Sequence, residues 1–232
     1  MSHNGAASMF ASPMTSATQV HRAIVLGRSV RGRPIRAFEV GDPSSPRRVL
    51  VVGCIHGNEP AGIAIAGALA RGRATRGTDL WIVPDLNPDG VAAHTRQNAD
   101  RVDLNRNFPW QWRPSGPPGT TFYAGSRALS EPESRIAERL VLRVRPQVSI
   151  WFHQHLDVVD ESGGDVRVEH RFASLVRLPL RRLAQDPGSA TGWENHALPG
   201  TTSFVVELPA GRVPPGRVGV FTRAIRALAG SR

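Results

Sequence analysis

The chain has 232 residues, 40% apolar and 21% charged, enough for one domain with a sizeable core, and no apolar run approaches the roughly 18 to 20 residues of a membrane span. Its net charge of +10 is carried by 29 arginines and no lysine, which excludes a P-loop lysine, a Schiff-base lysine and a Ser-Lys couple. The arginines are scattered rather than blocked, which fits a GC-rich codon bias better than a basic binding face, so no nucleic-acid partner is expected.

Residues 1–20 are small, polar and Ala/Ser-rich. They lack the cationic start and the roughly 7 to 15 apolar residues of a secretory signal, and read as a disordered tail on a cytoplasmic protein, with 21–232 as a single catalytic domain. Short β-favouring runs follow at 23–27 (AIVLG), 34–40 (PIRAFEV) and 48–55 (RVLVVGCI), punctuated by Gly, Pro, Ser and Arg. The stretch NEPAGIAIAGALARG predicts a helix, with Ile63, Ala66, Gly67 and Ala70 at three- and four-residue steps and Asn58 as its cap. DLWIVPDL (79–86) predicts the next strand.

The segment 87–129 is rich in Asn, Asp, Gly and Pro and is longer than a compact domain tolerates without purpose, so function is expected there. SEPESRIAERLVLRVR then predicts a helix opened by a capping box of Ser130 and Glu133. QVSIWF (147–152) predicts a central strand, 171–185 a helix interrupted at Pro179, TTSFVVEL (201–208) a strand, and GRVGVFTRAIRALAG a closing helix. Strands alternating with helices imply an α/β fold: an open, mixed, mostly parallel twisted sheet with helices on both faces, binding ligands beyond the carboxyl ends of its strands.

His56, His153 and Glu207 lie at or just beyond predicted strand ends. Catalytic zinc takes three protein ligands and keeps one position open, and two histidines with a glutamate form such a set. The bend HGNEP can swing Glu59 back toward His56, with Gly57 permitting the turn. His155 competes with His153 for the third position. The lone Cys54, inside VVGCI, allows no intrachain disulfide and reads as a buried, inert thiol.

In order, HGNE, NPDG, VDLNRNFP, SEPE, WFHQ and FVVELPAG resemble the M14 family of zinc carboxypeptidases, nearest its short bacterial branch of murein peptide amidases. The resemblance covers roughly residues 25 to 210. It implies one zinc ion held by His56, Glu59 and His153, with Glu207 as the general base that takes a proton from the attacking water and delivers it to the leaving amine. It implies that Asn105 and Arg106 grip the terminal carboxylate of the substrate, a task suited to the planar guanidinium fork. It further implies that Arg96 stabilises the oxyanion, with Arg101 as a rival. The family's mobile tyrosine has no counterpart in GSATGWENHALPG; Tyr123, the one tyrosine of the chain, matches a different position, and Trp193, Asn195 and His196 are left as pocket-lining candidates.

The implied function is hydrolysis of an amide bond near a free C-terminal carboxylate, in an ordinary or a murein peptide, with no oligomeric state specified. Two alternatives stand beside it. One is an N-acyl amino acid deacylase of the aspartoacylase or succinylglutamate desuccinylase type, which shares the ligand pattern. The other is a catalytically silent zinc-site binding protein.

Overall fold

A computed structural model describes residues 19–230. In chain order its elements are β1 (Val20–Arg28), β2 (Pro34–Gly41), β3 (Arg48–Val52), α1 (Ala61–Ala70), β4 (Asp79–Val83), α2 (Pro88–Ala93), α3 (Pro132–Val144), β5 (Val148–Asp160), α4 (Val166–Val176), β6 (Leu180–Arg181), α5 (Ala190–Ala197), β7 (Thr202–Pro209) and α6 (Pro215–Ala229). They form one sheet in the order β1-β2-β4-β3-β5-β6, with β7 also paired to β5. β1 and β2 make the antiparallel side, and β3, β4, β5 and β7 pair in parallel. This is the mixed, mostly parallel sheet expected from the alternation of elements.

The central strands are apolar on both faces because helices cover both. Val49, Val51, Ile150, Phe152, Phe204 and Val206 point to one side, into a core shared with α1, α4 and α6. Leu50, Val52 and Trp151 point to the other, where α3 and α5 pack. Side chains alternate along a strand, so His153 continues the face of Trp151. In the β5–β7 register Glu207 is its neighbour. The same period that buries Phe152 and Val206, each stabilising by about 1.5–3 kcal/mol, therefore places His153 and Glu207 side by side on the opposite face.

Several local expectations are overturned by tertiary partners. Asn58 does not cap α1: it is exposed, the helix begins at Ala61 without a side-chain cap of its own, and the Ala61 N–H donates to Gln154 Oε1 from β5. The Ser130–Glu133 box does not form either. Ser130 Oγ donates to Glu131 while buried Glu133 accepts from Val30 N and Asn98 Nδ2, long-range bonds that replace the local pair. The helix expected over 171–185 is α4, which ends at Val176 with Arg177 in a left-handed cap; Pro179 then leads into the short β6 beside Val159 and Asp160. α5 had no prediction, since Gly192, Trp193, Asn195 and His196 carry little helix propensity and Ser189 caps it locally.

β5 runs eight residues past the predicted end. Beyond His155 its pairing with β7 turns back, so that Val158 stands opposite Glu207 and Val159 opposite Val206. The tail expected over 1–20 falls on residues outside the described ones up to 18, and Val20 already belongs to β1. Among the described residues no helix is long and apolar enough to cross a membrane.

Candidate metal centre

The centre lies just beyond the carboxyl end of β3, beside His153 within β5 and Glu207 near the end of β7. After β3 the chain bends at Gly53–Pro60 and presents His56 and Glu59. Gly57 is needed there for space rather than for conformation: it is absent from the glycines with positive φ, and a Cβ on it would lie 1.9 Å from the carbonyl carbon of Gly90 in α2. His56, Glu59 and His153 are 1%, 8% and 4% exposed, and their ligand atoms all lie within 4.8 Å of one another. His56 Nδ1 is 3.0 Å and His153 Nδ1 3.2 Å from Glu59 Oε2, and the two ring nitrogens are 3.2 Å apart. His155, the rival third histidine, is exposed.

This donor set fits a divalent cation. Three electron-pair donors facing one point repel unless a proton or a metal sits among them, and in the metal-free protein the surrounding carboxylates favour a proton on His56. Burial works against a charged His56, but the Asp103 carboxylate, helped by Glu59, outweighs it and raises its pKa. Burial also opposes ionised Glu59, and the hydrogen bonds from His153 and His56 overcome it, holding the carboxyl far below the usual range. The metal-ligating form of glutamate is therefore the one already present.

Asp103 was missed in the sequence. It is fully buried, and its Oδ1 lies 3.0 Å from His56 Nε2, the outer carboxylate that fixes the tautomer so that Nδ1 faces the metal position. Burial disfavours its charge, and His56, Arg96 and Arg106 more than compensate, lowering its pKa. Its local task, accepting from Asn105 N at the start of a 3-10 turn over Leu104–Arg106, is readable from VDLNRN. Its histidine partner, 47 positions away, is not.

Arg96 reaches the centre, donating from Nη1 to Glu59 Oε1 and from Nε to Asp103 Oδ2, both at 2.9 Å. Arg101 does not: it has a left-handed backbone, and its guanidinium lies against Gly119. Arg106 shares the exposed Phe122 ring with Arg96 and donates from Nη2 to Asp186 Oδ2 at 2.6 Å. Asn105 Oδ1 accepts from Ala190 N, tying the start of α5 to the same loop. Glu59, Arg96, Asn105, Arg106, His153 and Glu207 all line one cavity of about 120 Å³.

Glu207 is half-buried, and one of its carboxylate oxygens is buried without a hydrogen-bond partner. Burial pushes its pKa up, against the attraction of His153. Trp193, Asn195 and His196 do not line the cavity. Trp193 stacks on Phe108, His196 stacks on Trp110, and Asn195 bonds to the backbone of Ser162 and Ser203. Ser189, Thr191 and the loop Leu183–Asp186 form the wall instead, and Tyr123 is not part of it.

The family model described as zinc carboxypeptidase matches residues 10–160, a stretch that holds His56, Glu59, Arg96, Asn105, Arg106 and His153 and ends before Glu207. Murein peptide amidase A of Escherichia coli (strain K12) is 27% identical over 180 residues, covering 72% of this chain and 74% of that protein. Carboxypeptidase SOL1 of Arabidopsis thaliana is 32% identical over 113 residues, 42% of this chain and only 23% of that protein. Among solved structures, murein-tripeptide amidase MpaA from Escherichia coli O157 shares the fold, with a TM-score of 0.71 over 90% of this chain and 92% of that one at 23% identity. With a match over more than half its length, the chain belongs to the M14 zinc carboxypeptidase family and is a metallopeptidase.

Proposed function

We propose that the protein is a zinc-dependent carboxypeptidase that hydrolyses the amide bond next to a free C-terminal carboxylate. The observation that carries this reading is the meeting of His56, Glu59 and His153 with Glu207, which keeps one carboxylate oxygen unbonded, and two arginines at one site. A zinc ion on the three ligands would polarise the scissile carbonyl and lower the pKa of water to about 7. Glu207 takes the proton of the attacking water and passes it to the leaving amine; burial raises its pKa toward the range where a base can also act as an acid. Arg96 donates to the developing oxyanion from the rim of the ligand set. Arg106 and the amide of Asn105 hold the substrate carboxylate.

Similarity to murein peptide amidases supports a cell-wall peptide as the natural substrate. The test is a panel of murein tripeptide, diaminopimelate-containing peptides, ordinary peptides and N-acyl amino acids, each with and without a chelator. Chelator-sensitive cleavage of peptides with a free C-terminus is expected, together with loss of cleavage when that terminus is amidated. Equal cleavage of amidated peptides, or turnover of N-acyl amino acids alone, would end this reading.

The substrate carboxylate has a rival inside the protein. Asp186, 47% exposed at its side chain, already occupies the outer nitrogen of Arg106, and a part-exposed pair of this kind is worth up to about 1 kcal/mol. Asp186→Asn is therefore expected to lower KM by about two- to fivefold with kcat little changed. A rise in KM would mean that Asp186 holds Arg106 in place instead of competing for it.

A further inference from the structure

The ring that Arg96 and Arg106 share is placed by the chain around it. Phe122 is 51% exposed and is the one exposed aromatic among the described residues. A lone apolar side chain on a surface needs no explanation, but this one is held on both sides by neighbours of the two arginines. Gln97, which follows Arg96, donates from Nε2 to Thr120 O and Thr121 O, both at 3.1 Å. The N–H of Asp103, three residues before Arg106, donates to Tyr123 O at 2.8 Å. Phe122 stands between these anchors, with its ring centroid 5.4 Å from the guanidinium carbon of Arg96 and 5.3 Å from that of Arg106.

The two cations have too little acid to themselves. Arg96 Nε lies 2.9 Å and Arg106 Nη1 3.9 Å from the same oxygen of Asp103, so one carboxylate, already bonded to His56, faces two guanidiniums. Their other acidic contacts are Glu59 for Arg96 and Asp186 for Arg106. In the carboxypeptidase reading the first is a metal ligand and the second gives way to the substrate, whereas Phe122 keeps its contact with both arginines. Hydrogen bonds hold a guanidinium by its edges; an aromatic ring attracts the cation through its electron-rich face and keeps water from it. The side chains of Arg96 and Arg106 are only 20% and 11% exposed. Cations shielded from water attract an incoming carboxylate or oxyanion more strongly than solvated ones.

We propose that Phe122 is a positioning residue of this site: its ring keeps the guanidiniums of Arg96 and Arg106 aimed at the cavity and screened from solvent. The assignment rests on the carboxypeptidase reading above for what the arginines bind, while the hold on them belongs to the folded chain alone.

The test compares the zinc-loaded wild type with Phe122→Leu, which keeps an apolar side chain without the π face, and Phe122→Tyr, which keeps the ring. Loss of both cation–π contacts is expected to lower kcat/KM about 5- to 30-fold in Phe122→Leu. The loss falls on KM where Arg106 holds the substrate carboxylate and on kcat where Arg96 meets the oxyanion. Phe122→Tyr is expected to restore most of it, the opposite order from apolar packing alone, which Leu serves better than Tyr. A second arm needs no turnover: labelling of individual arginines by phenylglyoxal, read by peptide mass spectrometry. Arg96 and Arg106 are expected to react about two- to fivefold faster in Phe122→Leu than in the wild type, while exposed Arg31 reacts equally in both. Wild-type kcat/KM in a folded Phe122→Leu, or equal losses in the Leu and Tyr variants, overturns the assignment. So does a wild type in which Arg96 and Arg106 are labelled as fast as Arg31, a result that stands even if a variant fails to fold. The expected labelling in a protein that cleaves no peptide supports the hold of Phe122 on the arginines and refutes the hydrolytic reading alone.

Discussion

Replacing Glu207 by Gln is expected to lower kcat about 10²- to 10⁴-fold on whichever peptide the wild type cleaves, while the zinc content of the protein stays the same. The substitution keeps the shape of a side chain whose neighbours are His153 in the adjacent strand and Val158 beyond it, so packing in β7 is preserved. What is lost is the basic oxygen. In the wild type one oxygen of this carboxylate is buried and unbonded, a costly arrangement for a structural group and a useful one for a group that must accept a proton during the reaction. Metal analysis alongside steady-state kinetics separates the cases. If the Gln variant turns over at the wild-type rate, Glu207 is not the base. If turnover falls only because zinc is lost, Glu207 belongs with the ligands.

How much of this was readable beforehand depends on the range of the interaction involved. His153 lies within β5 and Glu207 near the end of β7, where period-two alternation and the register of the two strands fix their direction, and residues 147–152 and 201–208 carry that information locally; His56 and Glu59 lie in the bend that follows β3. Arg96 and Arg101, five residues apart in one loop, could not be separated in this way. The loop folds so that Arg101 takes a left-handed turn and Arg96 meets two carboxylates, and that outcome depends on Glu59 and Asp103 at a distance. The caps failed for the same reason. Asn58 and the Ser130–Glu133 pair have the right local chemistry, but Gln154, Val30 and Asn98 supply better-placed partners from elsewhere in the chain.

The second large effect concerns the ligand set and can be read without any substrate. Zinc bound only by the folded protein stabilises it by about 2.7 kcal/mol at a free concentration one hundred times its Kd, and a chain of this length gains about 2–4 °C per kcal/mol. Adding zinc to the metal-free protein is therefore expected to raise Tm by roughly 5 to 10 °C, and His153→Ala should abolish that rise together with all chelator-sensitive activity. Asp103→Asn should keep the rise but move it to zinc concentrations about 10- to 100-fold higher, since Asn retains one acceptor for His56 Nε2 and loses the charge. The pH dependence has a definite sign. Asp103 and Glu59 raise the pKa of His56 in the metal-free protein, so zinc must displace a proton from it, and the apparent affinity should weaken as pH falls through that raised value. Asp103→Asn removes the main cause of the raised pKa, so its zinc affinity should fall off at lower pH than that of the wild type. A Tm that responds to zinc equally in wild type and His153→Ala would place the metal elsewhere on the protein.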